Sequence, residues 1–293
     1  MTIKRTLIGA ALLVAGGFGF VFSRDASQLY SWRAGGVGSL TYDILFESSP
    51  YLIVVALGLG IMFGGLAALA RDDTGRISGG MVKRHNAFGT FLEHWMAAFG
   101  MVILIVSGVL LGFLFVPRMV TDPETVGLAL NVHYVGTGLL IFAGTYHLTN
   151  HLINWDMDIV PNLSDFKNSL RDIGYYLNIT EKPPAEKYLP IQKVSYLIWA
   201  ALIIVMGVSG AVKAVSYVYS IPTGFRESMT FVHELFAALT ILFFVSHLAV
   251  VAFPSHWGLL RSQVTGWIPE RYVREHHEGW YSKITTKNES TDQ

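Results

Sequence analysis

Residues 131–153, NVHYVGTGLLIFAGTYHLTNHLI, decide the fold class of this chain. The stretch contains no Asp, Glu, Lys or Arg, and as a helix it is long enough to cross a bilayer core, which needs about 20 residues. It nevertheless carries three histidines, His133, His147 and His151. Because ionisable side chains inside apolar helices are costly and usually functional, the stretch predicts a membrane helix with a chemical role.

Five further apolar segments accompany this one. They are residues 6–22, 51–70, 88–115, 193–217 and 228–253. With 52% of its residues hydrophobic and 14% charged, the chain is too apolar for an ordinary soluble domain. The sequence therefore predicts an all-α membrane protein with six membrane helices. The first segment also fits a secretory signal, but no convincing small-x-small cleavage site follows it, which favours an uncleaved helix.

The charge and cysteine counts restrict the partners and cofactors. The formal net charge is zero, so the chain lacks the basic excess that binding to nucleic acid requires. It contains no cysteine, which excludes disulfides, thiolate metal sites and iron–sulfur clusters within the chain. Any redox cofactor is therefore held by histidine, methionine or non-covalent contacts.

Lys and Arg concentrate in alternate connections between the apolar segments. The N-terminus, residues 71–84, residues 167–193 and the tail from residue 261 are basic, whereas the loops on the other side hold only four arginines. Cytoplasmic loops retain basic residues. The sequence therefore predicts a multi-pass protein of a bacterial-type inner membrane with both termini cytoplasmic.

Two of the predicted helices carry histidines at the same interval. His133 and His147 are 14 residues apart, and so are His233 and His247. Fourteen residues make almost four turns, so each pair shares a helix face with about 21 Å between its members. A low-spin haem b takes two axial imidazoles from facing helices, and the pattern therefore predicts two stacked b haems. His94 lies at the predicted depth of His147 and His247, so three histidines compete for the inner haem.

Small residues near these histidines favour cofactor binding. A porphyrin can lie against a helix only where side chains are short, which points to Gly108, Gly136 and Gly210. The tripeptide Val-Ser-Gly also occurs twice, at 106–108 and at 208–210. Such a duplication is expected of a pseudo-symmetric four-helix core.

Residues 83–284 resemble the gamma subunit of membrane-bound formate dehydrogenases, a cytochrome b related to subunits of nickel–iron hydrogenases and thiosulfate reductases. The motifs that carry the resemblance are Glu93-His94-Trp95, Leu130-Asn131-Val132-His133-Tyr134-Val135-Gly136, Val232-His233-Glu234 and the tail Arg274-Glu275-His276-His277-Glu278-Gly279-Trp280-Tyr281. The resemblance implies that His133 and His233 ligate the outer haem iron and that His94 and His247 ligate the inner one. His147 departs from the family pattern and stays as the alternative inner ligand.

The resemblance implies an electron-transfer subunit that is not catalytic alone. Electrons pass, on this hypothesis, from a periplasmic iron–sulfur subunit with its catalytic subunit, through both haems, to the quinone pool. Two alternatives remain open. One is a hydrogenase-type or thiosulfate-reductase-type anchor, and the other is a haem-free membrane transporter or anchor.

Polar residues near the membrane surfaces complete the predicted site. Arg84 and Lys213 are expected to pair with haem propionates. Asn150, His151 and His147 are candidate quinone-site residues that relay protons near the inner haem. No catalytic residue is predicted within the chain itself.

The sequence divides into three predicted parts. Residues 1–82 form two membrane helices with a periplasmic loop between them. Residues 83–255 form a four-helix di-haem core, and residues 256–293 form a cytoplasmic tail. The predicted fold is therefore a four-helix haem-binding transmembrane bundle with two additional N-terminal helices.

Overall fold

The computed structural model describes residue 45 and residues 51–69, 73–155 and 157–291. The predicted first segment, residues 6–22, lies outside these residues, as does the loop that precedes residue 51 apart from residue 45. The N-terminal basic residues used for the topology prediction also lie outside the described part of the chain.

Five long helices dominate the described residues. They are α1 (Tyr51–Leu69), α2 (Ala87–Leu111), α3 (Pro123–Asn154), α5 (Pro190–Val218) and α6 (Thr223–Ala252). Each contains a segment long and apolar enough to cross a membrane. The prediction of an all-α membrane protein is confirmed, and five of the six predicted apolar segments coincide with these helices.

Helix α3 begins eight residues before the apolar segment that predicted it, at Pro123. Asp122 accepts a hydrogen bond from the backbone N–H of Thr125 at 2.9 Å, as an N-capping side chain does. Proline is favoured at the first helical position because it has no N–H to leave unpaired. Polar capping chemistry therefore sets the start of this helix, and hydropathy alone could not locate it.

The described residues divide into two compact units, and each is described by itself. The first unit comprises residues 45, 51–69, 92–154 and 204–245. The second comprises residues 73–91, 155, 157–203 and 246–291. The predicted division at residues 82 and 255 stays a prediction.

Small residues bring helices close together in the first unit. A Cβ added to Gly64 of α1 would clash with the backbone of Tyr146 in α3 and lie 3.0 Å from the Cβ of Thr149. A Cβ on Gly100 of α2 would lie 3.1 Å from the carbonyl oxygen of Gly136 in α3. Close approach of this kind is how membrane helices gain van der Waals contact without a hydrophobic driving force.

The second unit contains a small sheet that the sequence did not predict. Strands β1 (Ile77–Ser78), β2 (Met81–Lys83) and β3 (Trp267–Pro269) are antiparallel and lie in the order β1-β2-β3. The unit also contains the helices α4 (Leu163–Tyr176), α7 (Trp257–Thr265), α8 (Glu270–His276) and α9 (Glu278–Thr291), with a 3-10 turn at Pro254–His256.

A compact apolar core holds the second unit together. Val82 of β2 pairs with Ile268 of β3, and both side chains are fully buried together with Val273. Leu189 and Trp280 belong to the same buried cluster. The tail after residue 254 is therefore a folded part of this unit that packs on the segment before α2.

Candidate functional site

His133 of α3 and His233 of α6 face each other within the first unit. Their ring centroids are 6.4 Å apart and their planes cross at 63°. A histidine nitrogen lies about 2 Å from a metal ion that it ligates and the ring centre about 1 Å further away, so two imidazoles on opposite sides of one ion are about 6 Å apart. The spacing of His133 and His233 therefore fits a single metal ion held between them.

A buried serine holds each of these two rings. Ser107 Oγ lies 2.9 Å from His133 Nδ1, and Ser209 Oγ lies 3.0 Å from His233 Nδ1. Both serines are almost completely buried. The repeated Val-Ser-Gly sequence thus makes the same contact twice, once in α2 and once in α5.

The serine hydrogen bonds assign the tautomer of both histidines. Ser107 donates to the carbonyl oxygen of Ile103 at 2.6 Å, and Ser209 donates to that of Val205 at 2.7 Å. A hydroxyl has one proton to donate, so toward the imidazole each serine oxygen acts as the acceptor. Nδ1 therefore carries the ring proton, and Nε2 keeps the lone pair that a metal ion requires.

The glycine after each serine leaves room for the imidazole edge. A Cβ added to Gly210 would lie 3.2 Å from His233 Cε1, and one added to Gly108 would lie 3.6 Å from His133 Cε1. Any larger residue at 210 would press on the ring. Gly136 differs, because a Cβ there would lie 2.9 Å from Ile103 Cγ2, so its small size also serves the packing of α3 on α2.

A cation lies near the histidine pair. The ammonium of Lys213 in α5 interacts electrostatically with both His133 and His233 and with the carboxylate of Glu234. Glu234 in turn accepts a hydrogen bond from the backbone N–H of Leu114 at 3.0 Å. Positive charge beside the two rings suits a cofactor that carries carboxylates.

A second polar cluster joins α2 and α3 near the other ends of these helices. His147 Nδ1 lies 2.5 Å from Glu93 Oε1, and the rings of His147 and His151 are 4.2 Å apart. The candidate ligand atoms of all three residues lie within 4.8 Å of one another. Two imidazoles and a carboxylate are also a ligand set that transition metals accept. Asn150 lies beside this cluster in the sequence and accepts a hydrogen bond from Asn154 at 2.9 Å.

The sequence prediction named His147 and His151 but missed Glu93. Glu93 is the single acidic residue of α2, and a lone carboxylate in an apolar helix is itself a signal of function. The lone carboxylate could therefore have identified Glu93 as a candidate site residue from the sequence.

The predicted inner ligands occupy separate units. His94 of the first unit contacts Trp95, with ring centroids 5.5 Å apart. His247 of the second unit contacts Trp199, with centroids 6.3 Å apart. The pairing of His94 with His247 stays a prediction.

Arg84 lies in the second unit, where its side chain is buried. The guanidinium donates to Ser262 Oγ at 3.3 Å and to the carbonyl oxygen of Lys187 at 3.1 Å, and it lies 5.3 Å from the ring centre of Tyr188. Burial lowers the pKa of Arg84. Arg84 thus joins the segment before α2, the segment before α5 and helix α7. Its pairing with a haem propionate stays a prediction.

The apolar helices and the serine-held histidine pair define a membrane cytochrome b, an electron-transfer protein that binds haem b. The sequence pattern of the prokaryotic cytochrome b561 family matches residues 85–266. The match covers more than half of the chain, so the chain belongs to this family. A comparison with curated proteins found no match.

Proposed function

We propose that this chain is the cytochrome b subunit of a respiratory oxidoreductase similar to the gamma subunit of formate dehydrogenase. It carries electrons through two b haems between a periplasmic iron–sulfur subunit, with its catalytic subunit, and the quinone pool. The observation that carries the proposal is the His133–His233 pair, 6.4 Å between ring centres, with each Nδ1 held by a buried serine.

His133 and His233 are the proposed ligands of the outer haem. Their Nε2 atoms would ligate the iron, while Ser107 and Ser209 hold the rings through Nδ1. Haem supplies one-electron chemistry, and the protein tunes it through ligand basicity, hydrogen bonding and burial. Lys213 is the proposed partner of a propionate, since its charge already acts on both rings.

His94 and His247 are the proposed ligands of the inner haem. The geometry around His147 supports leaving it out of this pair, because its ring centre lies 4.2 Å from that of His151 and both histidines form one polar cluster with Glu93. His133, in contrast, faces a histidine of another helix, His233. A shared role with Glu93 and His151 therefore fits it better than axial ligation.

The cluster of Glu93, His147 and His151 is the proposed quinone-side site. Reduction of a quinone to a quinol takes up two electrons and two protons, so proton-holding groups are needed beside it. A hydrogen bond from His147 Nδ1 to the Glu93 carboxylate holds a proton at that atom. His151 and Asn150 are the candidate donors to the quinone oxygens.

A quinol reaction in proteoliposomes tests this proposal. Reduced short-chain quinone is added to the reconstituted full chain, and haem reduction is followed by visible absorbance. We expect His94→Ala to lose the inner haem and the rapid reaction, while His147→Ala keeps both haems and reacts more slowly. His256→Ala, which removes a ring packed on Tyr176 in the second unit, is the matched control. Loss of the inner haem from His147→Ala with its retention in His94→Ala would reverse the assignment.

A further inference from the structure

Helix α4 buries its polar residues and exposes its apolar ones. Asp165, Ser169 and Asp172 are buried. The exposed large side chains on the other face are Leu163, Phe166, Leu170, Ile173 and, at the C-cap, Leu177. Leu163 is 91% exposed and Leu170 is 71% exposed. A helix on a water-facing surface shows the reverse pattern, with its apolar face inside.

The exposed residues form one continuous surface, here called the apolar stripe. Positions 163, 166, 170, 173 and 177 follow alternating steps of three and four residues, which keep side chains on one face of a helix. The stripe therefore runs the full length of α4. Its regular spacing separates it from single exposed apolar residues, which are common on proteins.

Hydrogen bonds fix the direction in which the stripe points. Asp172 Oδ2 accepts from the backbone N–H of Ile191 at 3.1 Å, and Asp165 forms an ion pair with Lys193 at 3.4 Å. A capping box between Asn162 and Asp165 closes the start of the helix. Since the polar face is committed to these partners, α4 cannot turn its apolar stripe inward without breaking them.

The same bonds place α4 at the start of a membrane helix. Ile191 and Lys193 belong to the first turn of α5, which begins at Pro190 and has the length and composition of a membrane span. Helix α4 and this first turn of α5 both belong to the second unit. The stripe-bearing helix therefore lies beside the first turn of a candidate membrane span.

We propose that the apolar stripe of α4 lies in the membrane interface, with lipid covering it. Lys167 and Arg171 border the stripe on one side of the helix, where they suit anionic lipid headgroups. Trp155, eight residues before the first residue of α4, is 75% exposed, and tryptophan favours the headgroup level. Interfacial helices combine an apolar face, flanking cations and low net hydrophobicity in this way. The inference rests on the fold and not on the electron-transfer partners proposed above.

Single spin labels test this inference, because the chain has no native cysteine. Leu170→Cys and Leu163→Cys report on the stripe, and Ser164→Cys reports on an exposed polar position of the same helix. Each labelled, haem-loaded full chain is reconstituted in liposomes of phosphatidylethanolamine and phosphatidylglycerol. Collision rates are then measured with oxygen, which concentrates in lipid, and with a water-soluble nickel chelate.

We expect labels at 163 and 170 to collide at least several-fold more with oxygen than with the chelate, and the label at 164 to show the opposite ratio. Greater access to the chelate at 170 would place the stripe in water and overturn the inference. Low access to both reagents at 163 and 170 would mean that protein covers the stripe, either a second copy or a partner subunit, and would overturn it equally. An unchanged haem absorbance spectrum verifies that each variant is folded.

Discussion

Ser107 accepts the Nδ1 proton of His133 at 2.9 Å while its own hydroxyl donates to Ile103 at 2.6 Å. This chain of two hydrogen bonds determines which nitrogen of the imidazole is left for a metal ion. Ser209 and His233 repeat the arrangement at 3.0 Å. Each serine is uncharged and is not itself a candidate ligand. It nevertheless sets which nitrogen of the neighbouring histidine is free to bind a metal ion.

Removing either serine hydroxyl should weaken haem binding without abolishing it. Partners that fix a ligating histidine through its second nitrogen typically contribute about 10- to 100-fold in metal affinity, so Ser107→Ala and Ser209→Ala are each expected to fall in that range. Haem titration of apoprotein measures the affinity, and redox potentiometry should show a displaced potential for one haem only. Thr137→Ala is the matched control, because that hydroxyl donates to the carbonyl of His133 and not to its ring. Wild-type haem affinity in both serine variants would contradict the assigned tautomer.

A methyl group at position 210 should disturb the site more than one at position 108. The added Cβ would lie 3.2 Å from His233 in Gly210→Ala and 3.6 Å from His133 in Gly108→Ala, and overpacking costs about 1–3 kcal/mol. That range corresponds to about a 5- to 150-fold loss of haem affinity, with Gly108→Ala at or below its lower end.

Gly207→Ala is the control for this comparison, since a Cβ there meets nothing within 4 Å. Haem titration and the circular dichroism of the haem Soret band report on all three variants. Equal effects of Gly207→Ala and Gly210→Ala would show that the contact with His233 is unimportant.

Packing of α1 on α3 should depend on Gly64. Because a Cβ at this position would clash with the α3 backbone at Tyr146, Gly64→Ala is expected to destabilise the chain by about 1–3 kcal/mol. Gly144→Ala in α3 is the control, as a Cβ there has open space. Thermal unfolding in detergent measures both. A drop in the unfolding midpoint in Gly144→Ala as large as that in Gly64→Ala would indicate a general glycine effect and not the loss of the close contact between α1 and α3.

The second unit should lose stability in acid through His277. Burial, and to a lesser degree the neighbouring charge of Arg84, lower the pKa of this histidine to about 3, whereas an unfolded histidine titrates at about 6.5. Between these values the unfolded chain binds a proton that the folded chain does not, so stability falls as pH falls through this window. The slope contributed by one such group approaches about 1.4 kcal/mol per pH unit.

His277→Asn tests this pH dependence. Asparagine can keep the hydrogen bond that His277 Nδ1 donates to the carbonyl oxygen of Glu186 at 2.7 Å, but it does not titrate. We expect the variant to show a shallower loss of unfolding midpoint between pH 6.5 and pH 4. Asp172 acts in the opposite direction, since burial raises its pKa to about 6, and Asp172→Asn should steepen the same profile. An unchanged pH dependence of the unfolding midpoint in His277→Asn would show that His277 does not cause the loss of stability in acid.

Hydropathy and histidine spacing predicted a large part of this structure. The apolar segments correspond to the five described membrane helices because burial in lipid leaves a long, uninterrupted signal. The family resemblance implied that His133 and His233 act as a pair, and their ring centres are 6.4 Å apart, while their ligation of a haem stays a prediction. The Val-Ser-Gly repeat is visible in the sequence as a duplication, but its hydrogen bonds to the imidazoles are not, because they join different helices.

Other features left no periodic signal in the sequence. Strands of two or three residues are too short for alternation, so the sheet around Val82 and Ile268 could not be predicted. Arg84 was expected to interact with a propionate. The structure shows it buried and donating a hydrogen bond to Ser262, a contact between distant parts of the sequence that no local pattern predicts. The partnership of Glu93 with His147 is likewise a contact between two helices, and neither helix alone specifies it.

Haem content tests the central claim, that imidazoles from α3 and α6 hold one haem iron between them. A pyridine haemochrome assay on the purified full chain gives haem per polypeptide, and His256→Ala serves as the control. We predict two haems per chain in the wild type and in the control, and one in His133→Ala and in His233→Ala. A colourless wild type, or two haems retained in both single variants, would contradict the account.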